Sequence, residues 1–518
     1  MSKEVLLMDA SDLRMLLDTV HKFGKNEIVP RIKAMEEAGK PDPELLSMIG
    51  ELGLGEAVSE YGKYVYCKLI EALSYYHVST VVTLSASWGL AGNAINIAGT
   101  QKQKEKWLYP IMSMDAIGAF CLTEADAGSD VANLRMRAEQ KDGEWVLNGT
   151  KTFITNGGIA DTFIVFATIN KDLKQKGITA FIISADNKGI SIGKHEDKMG
   201  IRGSDTTEVI FDNVVVPDED RLGEVGDGFK IAMQTLNGGR VGLAAGCLGG
   251  IKNLLILAFE YANNRKQMGL SLTEFEMMQE KMVKMYAHSY LLEAGVYEAA
   301  RAADAGEDIR NAAAVLKRCG AQWLCEAVDD TMQIFGGVGY MEEGPIALIY
   351  RDARINKIFE GTQEIQQLLH FKDRIGEFMR TEDLDIGFSD EFVASFANEE
   401  LIQISQNMAQ IKKPLIESLR QILVGEYAGK NLLFNQLPMK WVARTLEYMY
   451  FLKVGVEVAA FKERNNEDID IEVTILKQYA AEALRYAQEM KDQIFSLDAI
   501  AANHKLFASL RELKGRVK

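Results

Sequence analysis

The chain has 518 residues, 47% of them hydrophobic and 25% charged, with a formal net charge of −16. That length is too great for one core and implies roughly three or four domains; the composition is that of an ordinary globular protein. The acidity excludes nucleic acid and anionic membrane surfaces as principal partners, since both select clustered Lys and Arg. The five cysteines (Cys67, Cys121, Cys247, Cys319, Cys325) are dispersed and form no CxxC pair, which predicts buried thiols in a reducing compartment. The first residues, MSKEVLLMDASDLRMLL, carry early acids and no small-residue cleavage site, so a cytoplasmic location is expected.

Residues 1–118 are helical in pattern, with Leu13, Leu16, Leu17 and Val20 on one face and Leu69, Ile70 and Leu73 on a later one. From 119 to 225 the period changes to two, in runs such as DTFIVFATI and TEVIFDNVVV, which predicts a mostly antiparallel β domain between helical ones. Helical periodicity returns over 226–379, where the span Phe275 to Ala305 is apolar on several faces, as in a bundle. Val78 to Gly99 and Val241 to Ala262 are long apolar stretches, but their polar residues, Lys252 and Glu260 among them, favour buried helices over membrane spans. Residues 380–518 form an acidic connector, Arg380 to Glu400, followed by three or four helices with Pro414 and Pro438 at expected boundaries. The expected fold class is therefore a multidomain α+β chain: N-terminal helical domain, β domain, helical bundle and an additional C-terminal helical domain.

One acidic residue stands out within RDARINKIFEGTQEIQQL, from Arg351 to Leu368. Phe359-Glu360-Gly361 reads as a break between two helices, and a carboxylate there, desolvated among Ile358 and Phe359, would have the raised pKa of a general base. Three other stretches are built to receive a ligand. FCLTEADAGSD, Phe120 to Asp130, offers a strand end and a small-residue turn with backbone N–H groups. GTKTFITNGG, Gly149 to Gly158, places Phe153 and Thr155 on one side of a strand. QIFGGVGY, Gln333 to Tyr340, has glycines that let a ligand or a partner chain approach. The six histidines have no metal-ligand spacing, so no metal site is expected, and no P-loop or nucleophile elbow is present.

Together with Asn237-Gly-Gly-Arg240 and Asn263-Asn-Arg265-Lys-Gln-Met268, these stretches resemble the acyl-CoA dehydrogenase family, in order and separation, from the first helix to about residue 375. The C-terminal extension and NGGRVG look most like the very-long-chain branch. The resemblance implies a helical, β-barrel-like, helical arrangement and FAD bound between the sheet and the C-terminal helices of two subunits. Carried over, Phe120, Leu122, Thr123, Gly128 and Ser129 would contact flavin or its phosphates, Ser129 also the CoA arm. Phe153, Ile154 and Thr155 would flank the isoalloxazine. Arg265, Gln333, Gly336 and Gly337 would reach the FAD of the neighbouring subunit, with Thr362 and Glu364 completing the site. Asn237, Arg240 and Gly361 would contact or orient the substrate. Two departures are visible: Phe153 stands where many members have Trp, and Met268 where they often have Phe.

The activity so implied is α,β-dehydrogenation of a fatty acyl-CoA, with Glu360 taking the α-proton, a hydride passing to the flavin and an electron-transfer flavoprotein receiving the electrons. Relatives that carry the base just before the substrate-helix arginine would have it at Gly239, which cannot act as one. An acyl-CoA oxidase using oxygen and a catalytically silent relative are the alternatives. Ala91, Gly92 and Ala94, small residues on the helix that lines the acyl pocket in this family, raise the expectation of a deep cavity for a long chain. A homodimer without stable membrane insertion is expected.

Overall fold

The structure, a computed structural model, describes residues 8–424 and 436–495. The chain divides into two compact units, Met1–Thr362 and Gln363–Lys518. The first unit opens with helices. Ala10–Phe23 is capped by Asp9, whose side chain accepts from the Ser11 N–H at 2.7 Å. Leu54–Ser74 is broken at Gly62, where φ is 81° and ψ −155°, a conformation that only glycine adopts without strain.

Eight strands follow: β1 (Gly118–Cys121), β2 (Arg137–Lys141), β3 (Glu144–Thr155), β4 (Thr162–Thr168), β5 (Ile178–Ser184), β6 (Ile190–His195), β7 (Thr206–Pro217) and β8 (Arg221–Leu222). They form one sheet in the order β6-β7-β3-β2-β4-β5-β8, with β1 added parallel to β4. Most pairings are antiparallel, and the path is open at β6 and β8. Alternation fills the core from one face: Trp145 and Leu147 of β3, Phe163, Val165 and Ala167 of β4, Phe181 and Ile183 of β5. Along β7 the buried set changes parity, from Val209 and Phe211 to Val214 and Val216. The switch falls at Asn213 (φ 52°), opposite a register shift between Leu147 and Gly149.

One buried ion pair ties β1 to β3. Lys151, fully buried, donates to Glu124 Oε1 at 2.8 Å and to the Leu122 carbonyl at 3.1 Å. Glu124 in turn accepts from the N–H groups of Arg135 (2.6 Å) and Met136 (3.0 Å), so every charge in the cluster has partners.

The unit closes with a helical bundle around Gly228–Asn264, on which Leu54–Ser74, Glu276–Asp304 and Arg310–Phe335 pack. Close approach to Leu54–Ser74 depends on missing side chains. A Cβ at Gly249 would lie 2.1 Å from the Glu71 carbonyl oxygen and one at Gly242 would lie 2.5 Å from the Tyr66 ring. Gly228–Asn264 is long and apolar enough to cross a membrane, yet 56% of its most apolar window is buried inside the fold, as the sequence reading of Val241 to Ala262 expects. The periodicity missed a two-stranded ribbon, Lys266–Gln267 with Leu270–Ser271, that interrupts the helices.

In the second unit Gln363–Thr381, Glu399–Val424, Gln436–Arg464 and Asp470–Phe495 pack together. The helix Gln363–Thr381 lies against Gln436–Arg464, so the division between units falls earlier than the sequence boundary at 379/380. Pro414 lies inside Glu399–Val424 instead of ending it, whereas the boundary expected at Pro438 adjoins residues outside the described ones. Phe388, Phe392 and Phe396 of the acidic connector pack on one another, with centroids 5.2 Å apart for the first pair and 5.0 Å for the last two.

The Lys151 pair yields a stability prediction. Lys151→Met strands the Glu124 charge and is expected to cost about 3–5 kcal/mol, measured as a lower urea midpoint by tryptophan fluorescence; a loss below about 1 kcal/mol would contradict the account.

Candidate active site

Glu360 occupies the predicted break between the helical segments Pro345–Lys357 and Gln363–Thr381. Its φ is 54° and that of Gly361 is 95°, two consecutive left-handed residues of which only the second is at ease there. Two cations hold the turn from the bundle: Arg240 Nε donates to the Glu360 carbonyl at 3.1 Å, and Lys317 Nζ to the Gly361 carbonyl at 2.6 Å. Charge-assisted bonds of this kind offset the strain at Glu360, which is of order 1–3 kcal/mol. Arg240 is itself steadied by Asn237 Oδ1 at 2.9 Å.

The turn aims the Glu360 carboxylate at the central helix where that helix has no side chain. A Cβ at Gly239 would fall 2.7 Å from Oε2 and 2.8 Å from Leu90 Cδ2. Burial pushes the carboxyl up to about 7, against the pull of Arg240, Lys317 and Lys63 toward the ionised form. The group is thus poised between acid and base forms at neutral pH.

A second group gathers at the ends of β1 and β3. The Thr152 N–H donates to the Thr123 carbonyl at 2.9 Å, bringing Phe120, Leu122 and Thr123 beside Phe153, Ile154 and Thr155. At the shift in register between Lys151 and Ile154, Phe153 has φ 56° and its ring is 64% exposed while Ile154 is buried. A bulge, more than simple alternation, therefore presents that aromatic face. Gly128 and Ser129 lie in the exposed turn beyond the Glu124–Ala127 bridge, and nothing stands within 4 Å of a Cβ at Gly128.

A third group forms where Tyr261 stacks on Phe335 (4.1 Å, 15°) and donates to its carbonyl at 3.2 Å. That contact gathers Arg265, Gln333, Gly336 and Gly337, all exposed. Gly336 has φ 61°, and a Cβ on either glycine would meet nothing within 4 Å. Met268, beside them, is 94% exposed. Thr362 ends the first unit, and Glu364, exposed, opens the first helix of the second.

These three groups fit a flat, phosphate-bearing cofactor: an exposed aromatic face with flanking hydroxyls, an open glycine turn and a second glycine cradle beside an arginine. No cluster of His, Cys, Asp or Glu among the described residues would hold a metal. Sequence reasoning missed Lys317, Lys63 and Leu90. Lys317, beside Arg318 in the otherwise apolar run AAAVLKRCGA, carried a signal, because a lysine on a buried helix face needs a partner.

The cation set predicts a direction. Lys317→Met removes both a cation and a carbonyl anchor, so Glu360 is expected to titrate above about 7; carboxyl NMR of glutamate-labelled protein, assigned with Glu360→Gln, would contradict this by showing an unchanged or lower value.

Comparisons with known proteins agree with this geometry. Residues 10–115, 119–214 and 226–374 match the N-terminal, middle and C-terminal domains of acyl-CoA dehydrogenase. A short-chain-specific acyl-CoA dehydrogenase of Megasphaera elsdenii is 40% identical over 364 residues, 68% of this chain and 95% of that protein. The mitochondrial very long-chain specific enzyme of Rattus norvegicus is also 40% identical, over 68% of this chain but 54% of its own length. Identity therefore does not separate the short-chain from the very-long-chain relatives. The crystal structure of a Bacillus anthracis acyl-CoA dehydrogenase complexed with FAD superposes with TM-score 0.84 at 28% identity, over 98% of this chain and 93% of that one, so the C-terminal unit has a counterpart there. The chain belongs to the acyl-CoA dehydrogenase family.

Proposed function

We propose that this protein dehydrogenates an acyl-CoA thioester to the 2-enoyl thioester, with Glu360 as the base that removes the α-proton. The observation that carries the reading is the Glu360 carboxyl, pushed by burial to about 7 and set against the bare backbone of Gly239. Gly239 lets the carboxylate lie against the helix backbone, since a Cβ there would collide with Oε2 and with Leu90. Arg240 and Lys317 keep the base in place by holding the carbonyls of Glu360 and Gly361, so little reorganisation is required when the proton moves. FAD, when bound, supplies the acceptor for the β-hydrogen as hydride. Phe120, Leu122, Thr123, Phe153, Ile154 and Thr155 would bind its ring system, and Gly128 and Ser129 its phosphate or the CoA arm.

The exposed group around Arg265, Gln333, Gly336 and Gly337 supports a homodimer in which each chain completes the cofactor site of the other. Ile256, Phe259, Met277, Val283 and Tyr286 leave apolar side chains exposed on the helices Gly228–Asn264 and Glu276–Asp304, as an interface between two copies would require. An electron-transfer flavoprotein is the proposed acceptor, and the five cysteines, which form no disulfide among the described residues, suit the reducing cytoplasm expected from sequence.

Anaerobic titration of the flavin-loaded protein with saturated acyl-CoAs tests this reading. The wild type is expected to lose its flavin absorbance, while Glu360→Gln keeps its flavin and does not bleach; equal bleaching by the variant would remove Glu360 from the role. Gly239→Ala, whose methyl would collide with Oε2 and Leu90, is expected to lower the rate of bleaching by about 100-fold, and a rate within twofold of wild type would contradict the placement of the base.

A further inference from the structure

After the break at Gly62, the helix Leu54–Ser74 in effect starts again. The N–H groups of Lys63 and Tyr64 donate to Asp304 at 2.6 and 2.8 Å. Lys63 thus occupies a first helical turn, where a cation opposes the helix dipole. Its ammonium gains no compensating ion pair: Asp304 spends both oxygens on those two N–H groups, and no carboxylate oxygen of the described residues lies within 4.0 Å of Nζ. Nζ rests instead 4.3 Å from the centroid of the Tyr66 ring. Burial holds its pKa below the ordinary lysine value.

The position of this cation is informative. A Cβ at Gly238 would meet Asn93 Nδ2 at 3.1 Å and Lys63 Nζ at 3.2 Å. Gly238 is the neighbour of Gly239, on which the Glu360 carboxylate rests, and consecutive Cα atoms are about 3.8 Å apart. An ammonium and an amide therefore lie against the residue next to the one on which the base rests.

Tyr66 limits what else the site can hold. Its ring, 2% exposed, fills the notch left by Gly89 and Gly242, where added Cβ atoms would lie 2.3 and 2.5 Å from it. The small residues expected to open a deep cavity also have other neighbours. A Cβ at Gly118 would meet Ala91 at 2.6 Å, and one at Gly92 would meet Met112 Sδ at 3.2 Å. Ala91 and Ala94 are fully buried. Here small residues bring elements close together.

We propose that Lys63 and Asn93 bind the far end of a short acyl group that terminates in a carboxylate, so that the substrate class is an ω-carboxyacyl thioester. The inference deepens the dehydrogenase reading and rests on it. With an aliphatic tail the half-buried ammonium has only the longer-range attraction of Asp304 and Glu360, whereas a terminal carboxylate pairs with it directly and accepts from the Asn93 amide. The site thus discriminates through both an attraction and a penalty.

Matched thioesters of equal chain length test it: glutaryl-CoA against valeryl-CoA, and adipoyl-CoA against hexanoyl-CoA, by kcat/KM and anaerobic flavin bleaching. The wild type is expected to favour the acid-ended member of a pair by at least about tenfold; Lys63→Met brings the ratio to one or below, and Lys63→Arg retains a preference. Absence of preference in the wild type, or preference for the methyl-ended member, overturns the proposal whatever the variants do. It is also overturned if Lys63→Met keeps the ratio and only shifts the pH profile, since Lys63 would then act on Glu360 alone. Bleaching by the methyl-ended thioesters without preference leaves the dehydrogenase reading standing, whereas bleaching by none of the four overturns the proposal, and the dehydrogenase reading then falls only if longer saturated acyl-CoAs also leave the flavin unbleached.

Discussion

The site depends on one constraint: two buried cations hold consecutive carbonyl groups of a left-handed turn. Arg240 and Lys317 come from different helices of the bundle and meet the Glu360 and Gly361 carbonyls. These bonds offset the strain of a non-glycine residue at φ 54°. With them the carboxylate is presented to a helix surface stripped of side chains at Gly238 and Gly239. Glycine serves two purposes along that helix. At Gly239 it lets the Glu360 carboxylate rest on the helix, and at Gly242 and Gly249 it lets the helix Leu54–Ser74 approach.

The same cations set the electrostatics. Burial alone would make the Glu360 carboxyl a poor base at neutral pH, and three nearby cations alone would make it too weak a base to remove an α-proton. Their opposition leaves it near 7. Lys63 belongs to this balance but differs in kind from Arg240 and Lys317. Those two spend their charge on backbone carbonyls, whereas Lys63 turns its charge toward the bare strip of helix. A half-buried cation held there, at the unfavourable end of a helix and outside any direct ion pair, is the main reason to read the site as shaped for an anion.

Much of this was legible in the sequence because the signals were local. The change of period at residue 119, the helix break at Glu360 and the small-residue turn at Gly128 are each contained in a short window. The long central helix was also recognisable as buried from Lys252 and Glu260 in its apolar run. What escaped was created by contacts between distant segments. Lys317 is 44 residues from the carbonyl it binds, and Lys63 and Asn93 meet only across Gly238. Ala91 and Gly92, read as the wall of a cavity, also lie close to Gly118 and Met112, so their small size serves the packing of neighbouring elements as well. The compact unit that begins at Gln363 has no local mark in the sequence either, since Gln363–Thr381 has the same periodicity as the helices before it.

The most direct test of Glu360 as the α-proton base is exchange of the acyl-CoA α-hydrogen with D2O on the anaerobic protein, followed by mass spectrometry across pH. The account predicts exchange that rises as pH passes through about 7, where the Glu360 carboxyl ionises, and that is lost in Glu360→Gln. Exchange of equal rate in that variant, or a rate indifferent to pH between 5 and 9, would contradict it.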